Sequence, residues 1–192
     1  NPVNYKKALQ LLAKRVDLVK KGGRELVWFL EHPTTYTAGI RYKKEEILDK
    51  SINIVKTNRG GKITLHNPGQ KIVYFVLDLN KRKKNIRNLV REVENIIIEF
   101  LKIYKIKSYA DKKNIGIWVN RKKIAAIGIR VSRWVAYHGF SINVNNDLDD
   151  YKKIIPCGLD NEKITSFKKE GKKSFNIDKN LKDIFLKNLP KI

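Results

Sequence analysis

Between Asn114 and Val144 the chain reads "NIGIWVN", "KKIAAIGIRV" and "WVAYHGFSINV", three apolar, β-rich runs separated by only a few residues. Connections that short cannot carry a crossover helix, so the runs must pair antiparallel as a meander, with "NRK" turning the first into the second as a hairpin. What flanks the meander decides the fold class. Upstream, "NYKKALQLLAKRVDLVK" (4–20) sets Tyr5, Leu9, Leu12, Val16 and Val19 three and four apart, the period of an amphipathic helix. Gly22 and Gly23 end it. Asn85–Tyr104 repeats the period with Leu89, Val93, Ile96, Ile97, Phe100 and Leu101, and "DKNLKDIFLKNL" (178–189) predicts a closing helix.

"ELVWFLEH" (25–32) reads as a buried strand running into Pro33, "INIVKT" (52–57) as another, and "KIVYFVLDL" (71–79) as a central strand. "PTTYTAGIRYKKEEILDK" between the first two reads as a long connection, and "IIPCGL" and "ITSF" as short extended pieces. Helix, strands, helix, meander and helix predict an α+β fold with a mixed, largely antiparallel sheet packed with helices. No repeat or linker interrupts the pattern, so residues 1–192 are expected to form a single domain.

Hydrophobic residues make up 42% and charged residues 32%, a composition that supports a packed core. No apolar run approaches the roughly 20 residues needed to cross a bilayer. The start carries no secretory core, so no membrane association and a cytoplasmic location are expected. Cys157 is the one cysteine, which forbids an intramolecular disulfide, and with His32, His66 and His138 as the histidines no metal site is expected. The net charge of +23 admits nucleic acid, a membrane surface or acidic proteins as partners. The lysines are spread along the chain among many Asn and Ile residues, so a general compositional bias accounts for the excess as well as any of these does. No zinc-finger spacing, basic zipper or RNP-like aromatic pattern accompanies the charge.

Three stretches could carry chemistry. "RGGKITLHNPGQ" (59–70) packs three glycines, a proline and His66 into twelve positions. It lacks the spacing of a phosphate loop. Its glycines would let backbone lie against a ligand with His66 and Gln70 as polar contacts, although a histidine in a turn also serves as a local hydrogen-bonding residue. In "IPCGL", Pro156 fixes φ and Gly158 lets another molecule approach the thiol of Cys157, which could equally be a small buried hydrophobe. A nucleophilic cysteine needs a group to take its proton. The candidates are His66, His138 and a lysine stripped of water. Lys123 stands out because it opens "KIAAIGIRV", where Ala125, Ala126 and Gly128 leave room for a ligand or for a closely packed helix.

Taken together, "LEHPTTYTAG", "RGGKITLHNPGQKIVYFVLDL", "GIWVNRKKIAAIGIRVSRWVAYHGFSINVN", "IIPCGL" and "ITS" run in an order and spacing that resembles the lipoyl(octanoyl) transferases of lipoate biosynthesis, from about residue 26 to residue 167. The resemblance implies a biotin/lipoate protein ligase-like catalytic domain, working as a monomer. It would move an octanoyl group from the thioester of octanoyl-acyl carrier protein to a lysine of a lipoyl domain. Acceptors of that class belong to 2-oxoacid dehydrogenases and the glycine cleavage H protein. No cofactor, ATP or nucleic acid is implied. The acyl-enzyme would form on Cys157, with Lys123 as its acid/base partner; backbone N–H groups, which sequence does not place, could bind the oxyanion, with Cys157 and Gly158 as candidates.

The same resemblance assigns Arg59, Gly60, Gly61, Thr64, His66 and Gly69 to the acyl and thioester site. Ala125, Ala126, Ile127, Gly128, His138, Gly139 and Gly158 join them. The usual family form is RGGxxTxHGPGQ, and Asn67 stands where glycine is expected. Asparagine tolerates left-handed backbone, so the turn should survive. Two rivals share part of this reading. An ATP-dependent lipoate ligase would need an adenylate site, for which the chain carries no further nucleotide-binding signature. A basic nucleic-acid-binding module could have kept the scaffold and lost the chemistry.

Overall fold

The structure is a computed structural model that describes residues 2–111, 114–156 and 163–192. Its first helix, α1 (Tyr5–Lys20), starts where Asn4 supplies a cap, the Oδ1 accepting from the Lys7 N–H at 3.1 Å. It ends where Gly22 turns left-handed and the N–H groups of Gly22 and Gly23 reach the carbonyls of Val19 and Leu18. Its buried face is Tyr5, Ala8, Leu12, Val16 and Val19. Leu9, which spacing assigns to that face, is only half-buried, and Ala8 takes the deep contact instead.

In chain order follow β1 (Leu26–Leu30), β2 (Thr35–Ala38), β3 (Ile54–Lys56), β4 (Ile63–His66) and β5 (Gln70–Asp78). After α2 (Ile86–Ile103) come β6 (Tyr109–Ala110), β7 (Ile117–Val119), β8 (Lys122–Ile127), β9 (Arg130–Ser132) and β10 (Val135–Asn143), then α3 (Ile177–Asn188). The larger sheet runs β1-β5-β10-β8-β7-β6 with β9 on β10, and every pairing in it is antiparallel. A second sheet, β3-β2-β4, joins β2 to β3 in parallel and to β4 antiparallel. The α+β class and the mixed, largely antiparallel pattern are therefore as the sequence predicts.

Period-two alternation sends the side chains of β5 to opposite faces. Val73, Phe75 and Leu77 enter the core built with α2 and α3, while Ile72, Tyr74 and Val76 meet α1. Both faces are covered, which is why "KIVYFVLDL" reads as a nearly unbroken apolar run. β1 departs from its prediction, because it lies at the sheet edge and most of it is only half-buried. The long connection after Pro33 contains β2, whose four residues are too few to show a period.

The predicted meander has four strands rather than three. "KKIAAIGIRV" breaks at Gly128–Ile129 into β8 and β9, both paired with β10, and Arg133–Trp134 closes the second hairpin with both residues left-handed, as Asn120–Arg121 does in the first. Neither Arg133 nor Trp134 is a residue that announces such a turn. Among the described residues no helix is long and apolar enough to cross a membrane.

Candidate active site

The break in the meander builds one wall of a cavity. Opposite Gly128–Ile129 on β10 sit His138 and Gly139, and Gly139 crosses β5 so closely that a Cβ would lie 1.9 Å from the Val73 carbonyl oxygen. No other residue fits there. Strict alternation would turn His138 toward the α2/α3 core, because its partner across the ladder is Phe75. Its backbone is left-handed instead, at φ 66°. The ring consequently lines the cavity on the α1 side, next to Tyr74. A local backbone irregularity that re-aims one side chain is a recurrent device beside active sites.

The facing wall comes from β4 and the loop before it. Alternation in β4 sends Ile63 and Leu65 into a small core with Tyr36, Tyr151 and Ile154, and leaves Thr64 and His66 on the cavity side. In the loop, Gly60 packs against the main chain of the break, where a Cβ would meet the Ile129 carbonyl at 2.7 Å. Arg59 is buried, its Nη2 donating to the Thr37 carbonyl at 2.8 Å and to Thr37 Oγ1 at 2.9 Å. Among the described residues no carboxylate pairs with its guanidinium.

Between the walls lies a mostly apolar pocket of about 450 Å³, lined by Arg59, Gly61, Thr64 and His66 on one side and by Ile72, Tyr74, Ala126, Ile127, Gly128, Gly139 and Ser141 on the other. Its two histidines are uncharged. Burial, the neighbouring His32 and the Arg59 cation hold the His66 pKa down to about 3; burial, Arg59 and Arg130 do the same for His138. Gln70 commits its amide nitrogen to Asn143 and Leu65 and presents Oε1 to His66, so His66 Nδ1 donates, at 2.6 Å. His138 Nε2 donates to Asn58 Oδ1 at 2.7 Å, and its buried Nδ1 has no partner among the described residues. Both rings act as oriented neutral dipoles.

Lys123, on β8, is 5% exposed. A bulge where β7 pairs with β8 accompanies it, and its Nζ lies 5.0 Å from the Trp118 ring centre and donates to the Ile115 carbonyl at 3.0 Å. Among the described residues no carboxylate neutralises it. The chain approaches Lys123 twice. Pro156 lines a small cavity with Lys123, Ala125, Thr64, Ala126 and Ser141. Further on, Ile164 bridges to Lys123 and the Thr165 N–H donates to the Lys123 carbonyl at 3.0 Å. Cys157 and Gly158 fall between those points and lie outside the described residues.

Apart from Cys157 and Gly158, the site residues drawn from the sequence thus gather around adjoining cavities, with one exception. Gly69 turns the chain between β4 and β5 at φ 85°, and its N–H donates to Glu31 rather than facing the pocket. The reason offered for Asn67 also needs correcting, since the left-handed position of this turn is Gly69 and Asn67 has no positive φ. Asn67 works through its side chain instead, donating to the Asp147 carbonyl at 2.7 Å and accepting from Asn146 at 3.0 Å. Sequence reading missed Tyr5, which stacks on His66, and Asn58, Tyr74 and Ser141. The signal available for Tyr74 and Ser141 was alternation along β5 and β10; Asn58 had none.

Residues 4–189 match the lipoyl protein ligase A/B catalytic domain. An octanoyltransferase of Wolbachia sp. subsp. Brugia malayi is 42% identical over 193 residues, covering 96% of this chain and 94% of the relative. The chain belongs to the octanoyltransferases. A second octanoyltransferase, from Ehrlichia ruminantium, is 46% identical and covers 88% of this chain and 85% of its own length. Octanoyltransferases are acyltransferases. Among solved structures, the bipartite lipoate protein ligase of Thermoplasma acidophilum superposes with a TM-score of 0.75 at 15% identity, covering 98% of this chain and 81% of that one. At that identity the likeness speaks for the fold, which is the biotin/lipoate protein ligase fold expected from the sequence.

Proposed function

We propose that the chain, acting as a single catalytic domain, transfers an octanoyl group from the thioester of octanoyl-acyl carrier protein to a lysine of a lipoyl domain, through a thioester on Cys157. One observation carries the reading: a buried lysine without a carboxylate partner among the described residues shares a cavity with Pro156, the residue before the sole cysteine, and that cavity shares Thr64, Ala126 and Ser141 with a mostly apolar pocket. Lys123 takes the proton of Cys157. The thiolate attacks the donor carbonyl, the C–S bond to the carrier breaks, and the carrier leaves as its thiol after taking the proton back. The acceptor lysine, as its free amine, then attacks the acyl-enzyme and forms the amide. Lys123 relays the proton lost by the new amide to the departing Cys157 sulfur. The donor is already activated, so no adenylate is required.

The test supplies octanoyl-acyl carrier protein and a lipoyl domain without ATP and follows the intact mass of the acceptor. The unaltered protein adds one octanoyl group. Cys157→Ala abolishes transfer, and Lys123→Ala lowers it by at least about a hundredfold, the low end of a general acid/base contribution. Full transfer by Cys157→Ala would refute the acyl-enzyme.

A further inference from the structure

His138 belongs to two cavities at once. On one side it lines the apolar channel; on the other, with Asn58 and Tyr137, it lines an open groove of about 1040 Å³ along α1, where Leu12, Ala13 and Val16 provide an apolar floor. In the opposite direction the channel adjoins the small cavity of Lys123, with Thr64, Ala126 and Ser141 lining both. His138 thus stands between the channel and the open groove, whose lining also includes Asp17, Lys20, Lys56 and Thr57.

We propose that the His138–Asn58 pair is the chain-length stop of the acyl channel. This inference rests on the octanoyl-transfer reading and adds to it the determinant of substrate size. From Ser141 to His138 is three strand positions, roughly 10 Å at about 3.3 Å each. An extended eight-carbon acyl group, with seven C–C bonds of about 1.5 Å in staggered zigzag, measures roughly 9 Å. The terminal methyl thus meets the imidazole, and longer chains collide with it. The ring is held in that place by its left-handed backbone and by a hydrogen bond from Nε2 to Asn58 Oδ1, and among the described residues Nδ1 has no partner. Removing the ring or its tether joins the channel to the groove, which then receives the extra methylenes.

The experiment measures kcat/KM for octanoyl, decanoyl and dodecanoyl thioesters of acyl carrier protein with a lipoyl domain as acceptor. The proteins are the unaltered chain, His138→Asn, Asn58→Ala, and each of these combined with Ala13→Trp. Asparagine keeps the left-handed backbone at 138. Asn58→Ala leaves the strand untouched and reports on the tether if His138→Asn does not fold. Each fully buried methylene is worth about fourfold, and the groove covers only one side of the chain, so the decanoyl-to-octanoyl ratio rises about threefold or more in either single variant. Ala13→Trp, which fills the groove, returns the ratio toward its original value. An unchanged ratio in a folded variant that still transfers octanoate overturns the stop. Failure of the unaltered protein to transfer octanoate defeats the functional reading itself, and the inference with it.

Discussion

Acidifying this protein from pH 7.5 to pH 5 should remove a large part of its stability through two buried imidazoles. His66 and His138 have pKa values held to about 3, by burial first and by neighbouring cations second, so both stay neutral in the native state at pH 5. In the unfolded chain an imidazole titrates near 6.5. Between those values the unfolded chain binds protons that the native state excludes, so stability falls as pH drops below about 6.5, and the fall continues until the native rings protonate near pH 3. At pH 5 the unfolded imidazole lies about 1.5 decades below its pKa, at about 1.36 kcal/mol per decade, or roughly 2 kcal/mol per histidine. Two histidines make about 4 kcal/mol, against a total of about 5–15 kcal/mol for ordinary domains. His32, also lowered by burial, pulls the same way. The assay is urea unfolding followed by tryptophan fluorescence at pH 7.5, 6 and 5. His66→Gln and His138→Asn should each flatten the pH dependence by about 2 kcal/mol. Identical slopes in all three proteins would refute the claim that these rings are neutral and dry.

Gly139→Ala should prevent folding, because its Cβ would sit 1.9 Å from a main-chain carbonyl in the central ladder; soluble protein with an unchanged melting temperature would contradict that geometry. Asn67→Gly, which restores the common family residue, should cost about 1–3 kcal/mol by stripping the Asp147 carbonyl of its donor. A thermal melt checks it, and an unchanged midpoint would show the tie to be dispensable. If the +23 charge steers acidic carriers, kcat/KM with the carrier-borne thioester should fall several-fold between about 50 and 300 mM salt while a small octanoyl thioester is unaffected. Equal salt responses would make the charge compositional.

Helix α2 was legible because six buried apolar residues recur on one face over five turns, a signal that no competing local preference obscures. β2 was not, since four residues hold too few periods and its pairing with β3 and β4 comes from distant sequence. Gly69 and Asn67 were assigned plausible tasks on the wrong atoms: residue type indicates that a turn needs a left-handed position, while only the folded backbone says which position it is.

The local sequence determined by itself the amphipathic helices, the apolar central strand and the short connections that compel an antiparallel meander, because these depend on period and spacing within a few residues. Its ordered stretches around His66, Lys123 and Cys157 also carried the family resemblance. Tertiary structure alone decided that His138 would leave the face its position assigns it and turn into the channel, and that Thr64, Ser141 and Pro156 would meet Lys123 at one point. Those outcomes depend on where separate strands cross, on a carbonyl that admits nothing larger than glycine, and on a backbone angle that alternation along the chain does not contain.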